Sequence, residues 1–220
     1  GDVYKRQPIY YQHICYGYCV SDGSLFALKS ELSYLWTVNI GMALENIRKW
    51  QWINRMNEKI NRMWKYDMLT QVLNRSGFFY CAETILQKIK EEKSNAFIIF
   101  LDIDGLKSVN DNLGHEIGDA FIAKIAGILK EVVPKDCLIM RYGGDEFVVF
   151  GSCKQAGRMQ RIAEDIKAAI KTADQKENRS YHLAASLGCS LHKSYEMDNL
   201  NSLIELADKK MYEEKKNKRR

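Results

Sequence analysis

The sequence predicts an α+β domain that follows one long helix, and three observations support this prediction. Helical and strand-like segments alternate from residue 67 onward, Gly143 and Gly144 separate two short apolar runs, and residues 30–66 contain no proline. The glycine pair is typical of a hairpin, because glycine adopts positive φ without a Cβ clash. A hairpin between helical segments favours a sheet with helices on one face over a doubly wound parallel sheet.

The long helix is predicted over residues 30–66. Apolar residues recur at steps of three and four in two sets, and the step of three between the sets would locally overwind a coiled coil. They are Ile40, Ala43, Ile47 and Trp50, then Ile53, Met56, Ile60 and Met63. The helix either packs on the domain or pairs with a second copy as a signalling helix. We favour pairing, because the helix leads directly into the next motif and the sequence shows no other apolar core against which it could pack.

The later elements follow from apolar spacing and turn residues. We expect helices over residues 75–92, 114–133, 154–177 and 199–216, strands over 95–104 and 181–192, and further strands at CLIMRY and EFVVF. The segment DGLKSVND is predicted to be a turn. Residues 8–29 suggest two strands or the tail of a domain whose body is absent. The first seven residues, GDVYKRQ, suggest a fragment with a foreign start, and we leave them out of the fold prediction.

Composition excludes several classes of protein. With 46% apolar residues the chain can bury a core, so disorder is not expected. The six cysteines form no CxxC pair, which argues against zinc and predicts reduced thiols in a cytoplasmic protein. No apolar run approaches the roughly 20 residues that span a bilayer, so membrane attachment would need a missing N-terminal region. Much of the net charge of +5 lies in the last residues, EEKKNKRR, and this charge alone decides little about partners. We expect no nucleic-acid partner.

Four acids mark the predicted strand ends. Asp102 and Asp104 end a strand that reads as central, and Asp145 and Glu146 lie on the hairpin. If the hairpin pairs beside that strand, the carboxylates converge and repel one another unless a cation neutralises them. Oxygen ligands without His or Cys favour Mg²⁺, which also takes substrate phosphates as ligands. The alternative is structural: Asp104 caps the following turn and Asp145 supports the hairpin.

Polar residues beyond the first strand could bind a nucleotide. Lys107 and the backbone amides of its turn could hold an anion. Asn110 and Asp119 flank the start of the next helix, and an amide together with a carboxylate can match one edge of guanine. The alternatives are helix capping by Asn110, Asp111 or Asn112 and, for Asp119, a plain exposed acid.

Several ordered motifs resemble those of the GGDEF family of diguanylate cyclases. The signature R-Y-G-G-D-E-F lies at 141–147, and the others are D-M-L-T-x-x-L-N-R at 67–75, D-I-D-x-L-K-x-x-N-D at 102–111, G-H-x-x-G-D at 114–119, S-x-G-x-S at 186–190 and A-D-x-x-M-Y-x-x-K at 207–215. The resemblance implies a ferredoxin-like, nucleotide-cyclase-like fold with a central, mostly antiparallel sheet flanked by helices. It also implies three segments: a remnant of a truncated sensory region (1–29), a coiled-coil-like linker (30–66) and the GGDEF domain (67–220).

The reaction implied by the resemblance joins two GTP molecules into cyclic di-GMP and releases two pyrophosphates. Mg²⁺, or Mn²⁺ in its place, would be held by Asp102, the main-chain carbonyl of Ile103 and Asp145, with Glu146 beside them. One hairpin acid would help to deprotonate the attacking hydroxyl, and Lys107 would assist at the phosphates. Each domain would hold one GTP, so two copies would face each other as a homodimer paired through the N-terminal helix. The alternative is a non-catalytic GTP-binding module that regulates another process.

The resemblance also assigns residues to the substrate. Lys107, Lys215 and Arg219 would meet the triphosphate, Asn110 and Asp119 would read guanine, and Gly143 and Gly144 would let the backbone lie close to the nucleotide.

The chain departs from the family pattern at three places. Gln71 replaces a usual glycine, which we expect to affect a packing turn, and Lys218 replaces the glycine before Arg219, which affects where that arginine lies. Pro134-Lys135-Asp136-Cys137 stands where many members carry an R-x-x-D product site. We therefore expect no feedback inhibition through that site.

Overall fold

Two compact units, residues 1–61 and 62–220, make up the chain. The computed structural model describes residues 4–22, 30–176, 181–193 and 200–218. Helix α1 (Ser30–Lys65) begins in the first unit and ends in the second. Among the described residues, none of the helices is both long enough and apolar enough to cross a bilayer.

The first unit contains a β-hairpin packed on the N-terminal part of α1. Its antiparallel strands are β1 (Tyr4–Tyr11) and β2 (Ile14–Asp22). The carbonyl of Tyr10 lies against Gly41, where a Cβ would overlap it. The Tyr16 hydroxyl donates a hydrogen bond to the buried carboxylate of Glu45. Leaving out the first seven residues was therefore wrong for Tyr4–Gln7, which belong to β1.

The apolar stripe predicted on α1 is open to solvent in the single chain. All eight of its residues are exposed, and Trp50 keeps 65% of its surface accessible. The helix itself runs as one segment of 36 residues, about 54 Å at 1.5 Å per residue. Its observed end at Lys65 lies one residue before the predicted one.

A four-stranded antiparallel sheet forms the centre of the second unit, in the order β4-β5-β3-β6. In chain order the elements are α2 (Arg75–Glu91), β3 (Asn95–Ile103), α3 (Leu106–Leu113), α4 (His115–Val132), β4 (Leu138–Arg141), β5 (Glu146–Cys153), α5 (Arg158–Lys176), β6 (Ala185–His192) and α6 (Leu200–Lys218). The predicted α+β fold, with an antiparallel sheet flanked by helices, is confirmed.

Helices cover both faces of this sheet, so the expectation of helices on one face was wrong. Phe97, Ile99 and Leu101 of β3 pack in one apolar cluster with α4 and α5. Ile98 and Phe100, which point the other way, pack in a second cluster with α2 and α6. The continuous apolar run of β3 was the available sign of the second layer, because a strand buried on both faces lacks apolar–polar alternation.

The predicted turn after β3 is instead the short helix α3. It begins after Gly105 (φ 78°) and ends at Gly114 (φ 89°), and both glycines take a backbone conformation that L side chains rarely adopt. Leu106 and Val109, one helical turn apart, are its buried residues. Two apolar positions among polar ones gave too little periodicity to predict a helix.

Asn74 joins the end of α1 to the start of α2. Its side-chain nitrogen donates hydrogen bonds to the carbonyls of Met63, Trp64 and Tyr66 at 2.9–3.3 Å. Its side-chain oxygen accepts from the backbone N–H of Gly77 at 2.9 Å and so caps α2. The Asn74 side chain therefore donates to carbonyls at the end of α1 and accepts from a backbone N–H at the start of α2. These are groups that have no hydrogen-bond partner within their own helices.

Helix α6 packs closely on β6 because Gly188 has no side chain. A Cβ there would overlap the Ala207 carbonyl and the Met211 backbone nitrogen. This approach fixes the distance between the C-terminal helix and the sheet.

Candidate active site

The four acids lie where β3 ends and β5 begins. Asp102 pairs with Glu146 across the two strands, and the backbone N–H of Ile103 donates to the carbonyl of Asp145 at 3.0 Å. Asp104 lies on the β6 side, where its backbone N–H bonds Ala184 and its carboxylate accepts from Ser186 Oγ at 2.8 Å. The hairpin therefore does pair beside the central strand, as the sequence predicted.

The glycine pair of the hairpin does not have the positive φ that the sequence prediction assumed. At Gly143 the reason is space instead, because a Cβ would lie 2.5 Å from Glu146 Oε2. At Gly144 a Cβ would meet nothing within 4 Å. A side chain at Gly143 would therefore require the Glu146 carboxylate to move away from the turn.

Two lysines of α6 contact the acids at the end of β3. The Lys215 ammonium forms an ion pair with Asp102, and both side chains are largely buried. The Lys218 ammonium donates to Asp104 Oδ2 at 3.1 Å, to Ser186 Oγ at 3.1 Å and to the Ala185 carbonyl at 2.7 Å. Asp104 is held by these partners, and the alternative that it caps the following turn fails, since α3 has no side-chain cap bond.

Negative charge remains in excess in this cluster. Burial, followed by the charges of Asp145 and Asp104, raises the pKa of Asp102 in spite of its bond to Lys215. Burial and the charges of Asp145 and Asp102 likewise raise the pKa of Glu146. A divalent cation would relieve this repulsion.

The donor set fits Mg²⁺, because carboxylate and carbonyl oxygens are the ligands that this ion prefers. Within the described ranges no three His, Cys, Asp or Glu side chains are already gathered as a complete ligand set. Substrate phosphates and water commonly supply the remaining Mg²⁺ ligands, so an incomplete protein set is consistent with the ion.

Arg141 fixes the hairpin turn from outside. Its Nε and Nη2 donate to the Gly144 carbonyl at 3.2 and 2.7 Å, and its Nη1 donates to Asp67 at 3.1 Å. Asp67 also accepts from the backbone N–H and the hydroxyl of Thr70 at 2.9 and 2.6 Å. Burial alone would raise the pKa of Asp67, but the Thr70 hydrogen bonds and the Arg141 charge outweigh it and lower that pKa.

Asn110 and Asp119 are brought close by the crossing of α3 and α4. The Asn110 side-chain oxygen lies directly against Gly118, where a Cβ would overlap it, and Asp119 is the next residue. Helix α4 has no side-chain cap, so the capping alternative fails for Asn110 and its neighbours. Asn112 instead bonds the Ser108 carbonyl at 2.8 Å.

The remaining predicted residues differ in placement. Lys107 lies exposed in the first turn of α3, and Asp119 is exposed as well. Arg219 falls outside the described residues. Sequence reasoning missed the positioning contacts of Arg141 and Gly118. Both residues lie inside the family motifs, and this was the one sequence signal for them. A hydrogen bond between residues 74 positions apart leaves no local pattern in the sequence, and neither does a lack of space for a side chain.

The family model described as "Diguanylate cyclase, GGDEF domain" matches residues 64–220. Diguanylate cyclase A from Treponema denticola is 29% identical over 89% of this chain and 53% of its own length. Diguanylate cyclase VdcA from Vibrio cholerae is 32% identical over 74% of this chain and 48% of its own length. An uncharacterized membrane protein from Staphylococcus epidermidis is 31% identical over 66% of this chain and 39% of its own length. The chain thus spans about half the length, or less, of these curated relatives.

Solved structures share the fold. The coiled coil and GGDEF domain of DgcB from Caulobacter crescentus, crystallised with c-di-GMP, gives a TM-score of 0.71 at 23% identity and covers 80% of this chain and 93% of that one. The GGDEF domain of YfiN (TpbB) from Pseudomonas aeruginosa gives a TM-score of 0.60 at 27% identity and covers 67% of this chain and 92% of that one.

Replacing Asp67 should loosen the hairpin turn. We expect Asp67→Asn to lower the free energy of unfolding by about 1–3 kcal/mol at pH 7, because it removes the charge paired with the largely buried Arg141. The pKa of Asp67 is lowered by folding, so its contribution is complete above 3.8, its ordinary value. It is lost as the pH falls through the lower folded value.

Urea unfolding of both proteins between pH 7 and pH 2 measures this effect. Asp136→Asn is the matched control, because Asp136 also pairs with an arginine but keeps 60% of its side chain exposed. It should cost less than about 1 kcal/mol. A stability gap for Asp67→Asn that stays constant down to pH 2 contradicts the assignment.

Proposed function

Because this chain belongs to the GGDEF family of diguanylate cyclase domains, we propose that it condenses two GTP molecules into cyclic di-GMP and two pyrophosphates. The observation that carries the proposal is the cluster of acids at the end of β3, which faces two lysines of α6 and retains an excess of negative charge. Such a cluster suits a divalent cation and a polyphosphate substrate.

Asp102, the Ile103 carbonyl and Asp145 would hold Mg²⁺, and Mn²⁺ could replace it. When bound, the ion supplies Lewis-acid stabilisation of charge on the phosphate oxygens. Asp145 or Glu146 accepts the proton of the attacking 3′-hydroxyl. A carboxyl group whose pKa is raised towards neutrality is a better base at pH 7, and burial raises the pKa of Glu146.

Lys107, Lys215 and Arg219 bind the triphosphate and orient it for attack at the α-phosphate. Asn110 and Asp119 select guanine, since an amide and a carboxylate together match its donor and acceptor edge. The bare backbone of Gly143 and Gly144 leaves room for the nucleotide beside the acids.

Two copies are needed for turnover, because each domain binds one GTP and therefore supplies half of a reaction centre. The exposed stripe on α1 is the surface through which we propose that the chains pair, since exposed apolar residues repeated along one helix gain from burial against a second copy. Pairing raises the effective concentration of one half-site near the other. The segments 1–29 and 30–66 then act as an input segment and a linker for residues 67–220. We place the reaction in the cytoplasm.

Turnover is the direct test of this proposal. Purified protein with GTP and Mg²⁺ should form cyclic di-GMP, and specific activity should rise with protein concentration as chains pair. Asp145→Ala should reduce the rate at least about 100-fold, whereas Asp165→Ala, at an exposed position of α5, should leave it unchanged. GTP that binds without conversion in the unmodified protein would support the regulatory module instead.

Base selection depends on the space above Gly118. We expect Gly118→Ala to displace the Asn110 amide and to lower the preference for GTP over ATP by about 1–3 kcal/mol, or roughly 5- to 150-fold in kcat/KM. Gly127→Ala on the same helix is the control, because a Cβ there meets nothing within 4 Å. Unchanged discrimination by a folded Gly118→Ala variant would exclude Asn110 as a reader of the base.

Product inhibition through residues 134–137 should be absent. Arg158 Nη2 binds both carboxylate oxygens of Asp136 at 2.7 Å, and burial raises the pKa of the Cys137 thiol to about 11, so this thiol is neutral at pH 7. Neither a free arginine nor a free carboxylate is presented there. Initial rates should stay the same when cyclic di-GMP is added at concentrations well above the amount formed. Inhibition that disappears in Arg158→Ala would show that this surface binds product after all.

A further inference from the structure

Lys215 contacts Asp102, the strand-end carboxylate assigned above to the metal ion. Only 21% of the Lys215 side chain and 12% of the Asp102 side chain are accessible to solvent. Lys215 is also assigned to the triphosphate of the substrate. A divalent ion bound to Asp102 would compete with the Lys215 ammonium for this carboxylate and would repel that ammonium.

The charges around Asp102 explain why a lysine lies there in the free protein. Asp145 and Asp104 are close enough to Asp102 to act against its charged form, and Lys215 is the group that acts in its favour. Lys215 acts in the same sense on Glu146. A buried carboxylate without a cation is costly, so the ion pair with Lys215 stabilises the charged form of Asp102 when no metal is bound.

The end of α6 does not depend on Lys215 for its position. Lys218 is held independently by Asp104, Ser186 and the Ala185 carbonyl. Gly188 keeps an earlier part of the same helix against β6. Lysine also has a flexible four-carbon stem, so its ammonium can swing while the backbone stays fixed.

We propose that Lys215 is an exchangeable counter-cation, which neutralises Asp102 in the free protein and moves to the triphosphate when a divalent ion takes its place. This inference rests on the proposed function, because it assigns an order to events at the same site. It follows that the ion and the nucleotide assist each other: the ion releases Lys215, and the nucleotide binds the released ammonium. By linkage, each raises the affinity of the other equally.

Mn²⁺ binding followed by electron paramagnetic resonance tests this exchange without turnover. Lys215→Met should tighten binding of Mn²⁺ alone by about tenfold, because the competing cation is gone. The same variant should weaken binding of a GTP analogue with a methylene bridge between the α- and β-phosphates by about tenfold. Lys216→Met, which removes an exposed charge over the Tyr212 ring, should change neither. Lys215→Arg should restore wild-type Mn²⁺ binding.

Exchange would tighten the binding of Mn²⁺ and weaken the binding of the GTP analogue. Structural damage would weaken the binding of both. Unchanged or weaker binding of Mn²⁺ alone to a folded Lys215→Met variant overturns the proposal. If that variant does not fold, acetylation of the wild-type protein serves instead: labelling of Lys215 relative to Lys216 should rise when Mn²⁺ binds, and no rise overturns the proposal. A wild-type protein that shows the exchange but forms no cyclic di-GMP would refute the proposed reaction alone.

Discussion

The concentration of carboxylates where β3 ends is the constraint on which the site depends. Asp102 is buried in the sheet, and neighbouring acids oppose its charged form. Positive charge must therefore reach this edge, and α6 brings it through Lys215 and Lys218. The helix can do so only because Gly188 lets it approach β6 closely. Packing on one face of the sheet and charge balance at its edge are thus parts of the same arrangement.

Much of the fold could be predicted from residue patterns. The helices that became α2, α4, α5 and α6 carry apolar residues at helical spacing, and β3 is a continuous apolar run, so their bounds differ from prediction by a few residues. The second helical layer was missed although β3 gave a sign of it, because a continuous apolar run is typical of a strand covered on both faces. Helix α3 escaped prediction because its ends are set by Gly105 and Gly114 and it buries little.

The candidate site was predictable as a set of residues and less so as an arrangement. Paired carboxylates near a glycine turn indicate a cation, and the sheet register brings them to one edge. The contacts that hold them are non-local: Arg141 reaches back to Asp67, and Lys218 reaches Asp104 from the other end of the domain. Gln71, at a position where the family usually has glycine, has a φ of 56°. Glycine adopts this backbone conformation freely, which explains why glycine is usual there.

Asn74 links the last turn of α1 to the first turn of α2 through hydrogen bonds of its side chain. A linker of glycines and serines would absorb a rotation of the incoming helix in its own torsions. Here the last carbonyls of α1 and the first turn of α2 are held by the same amide. A single side chain, and not a run of free backbone torsions, thus sets where α2 starts relative to the last turn of α1.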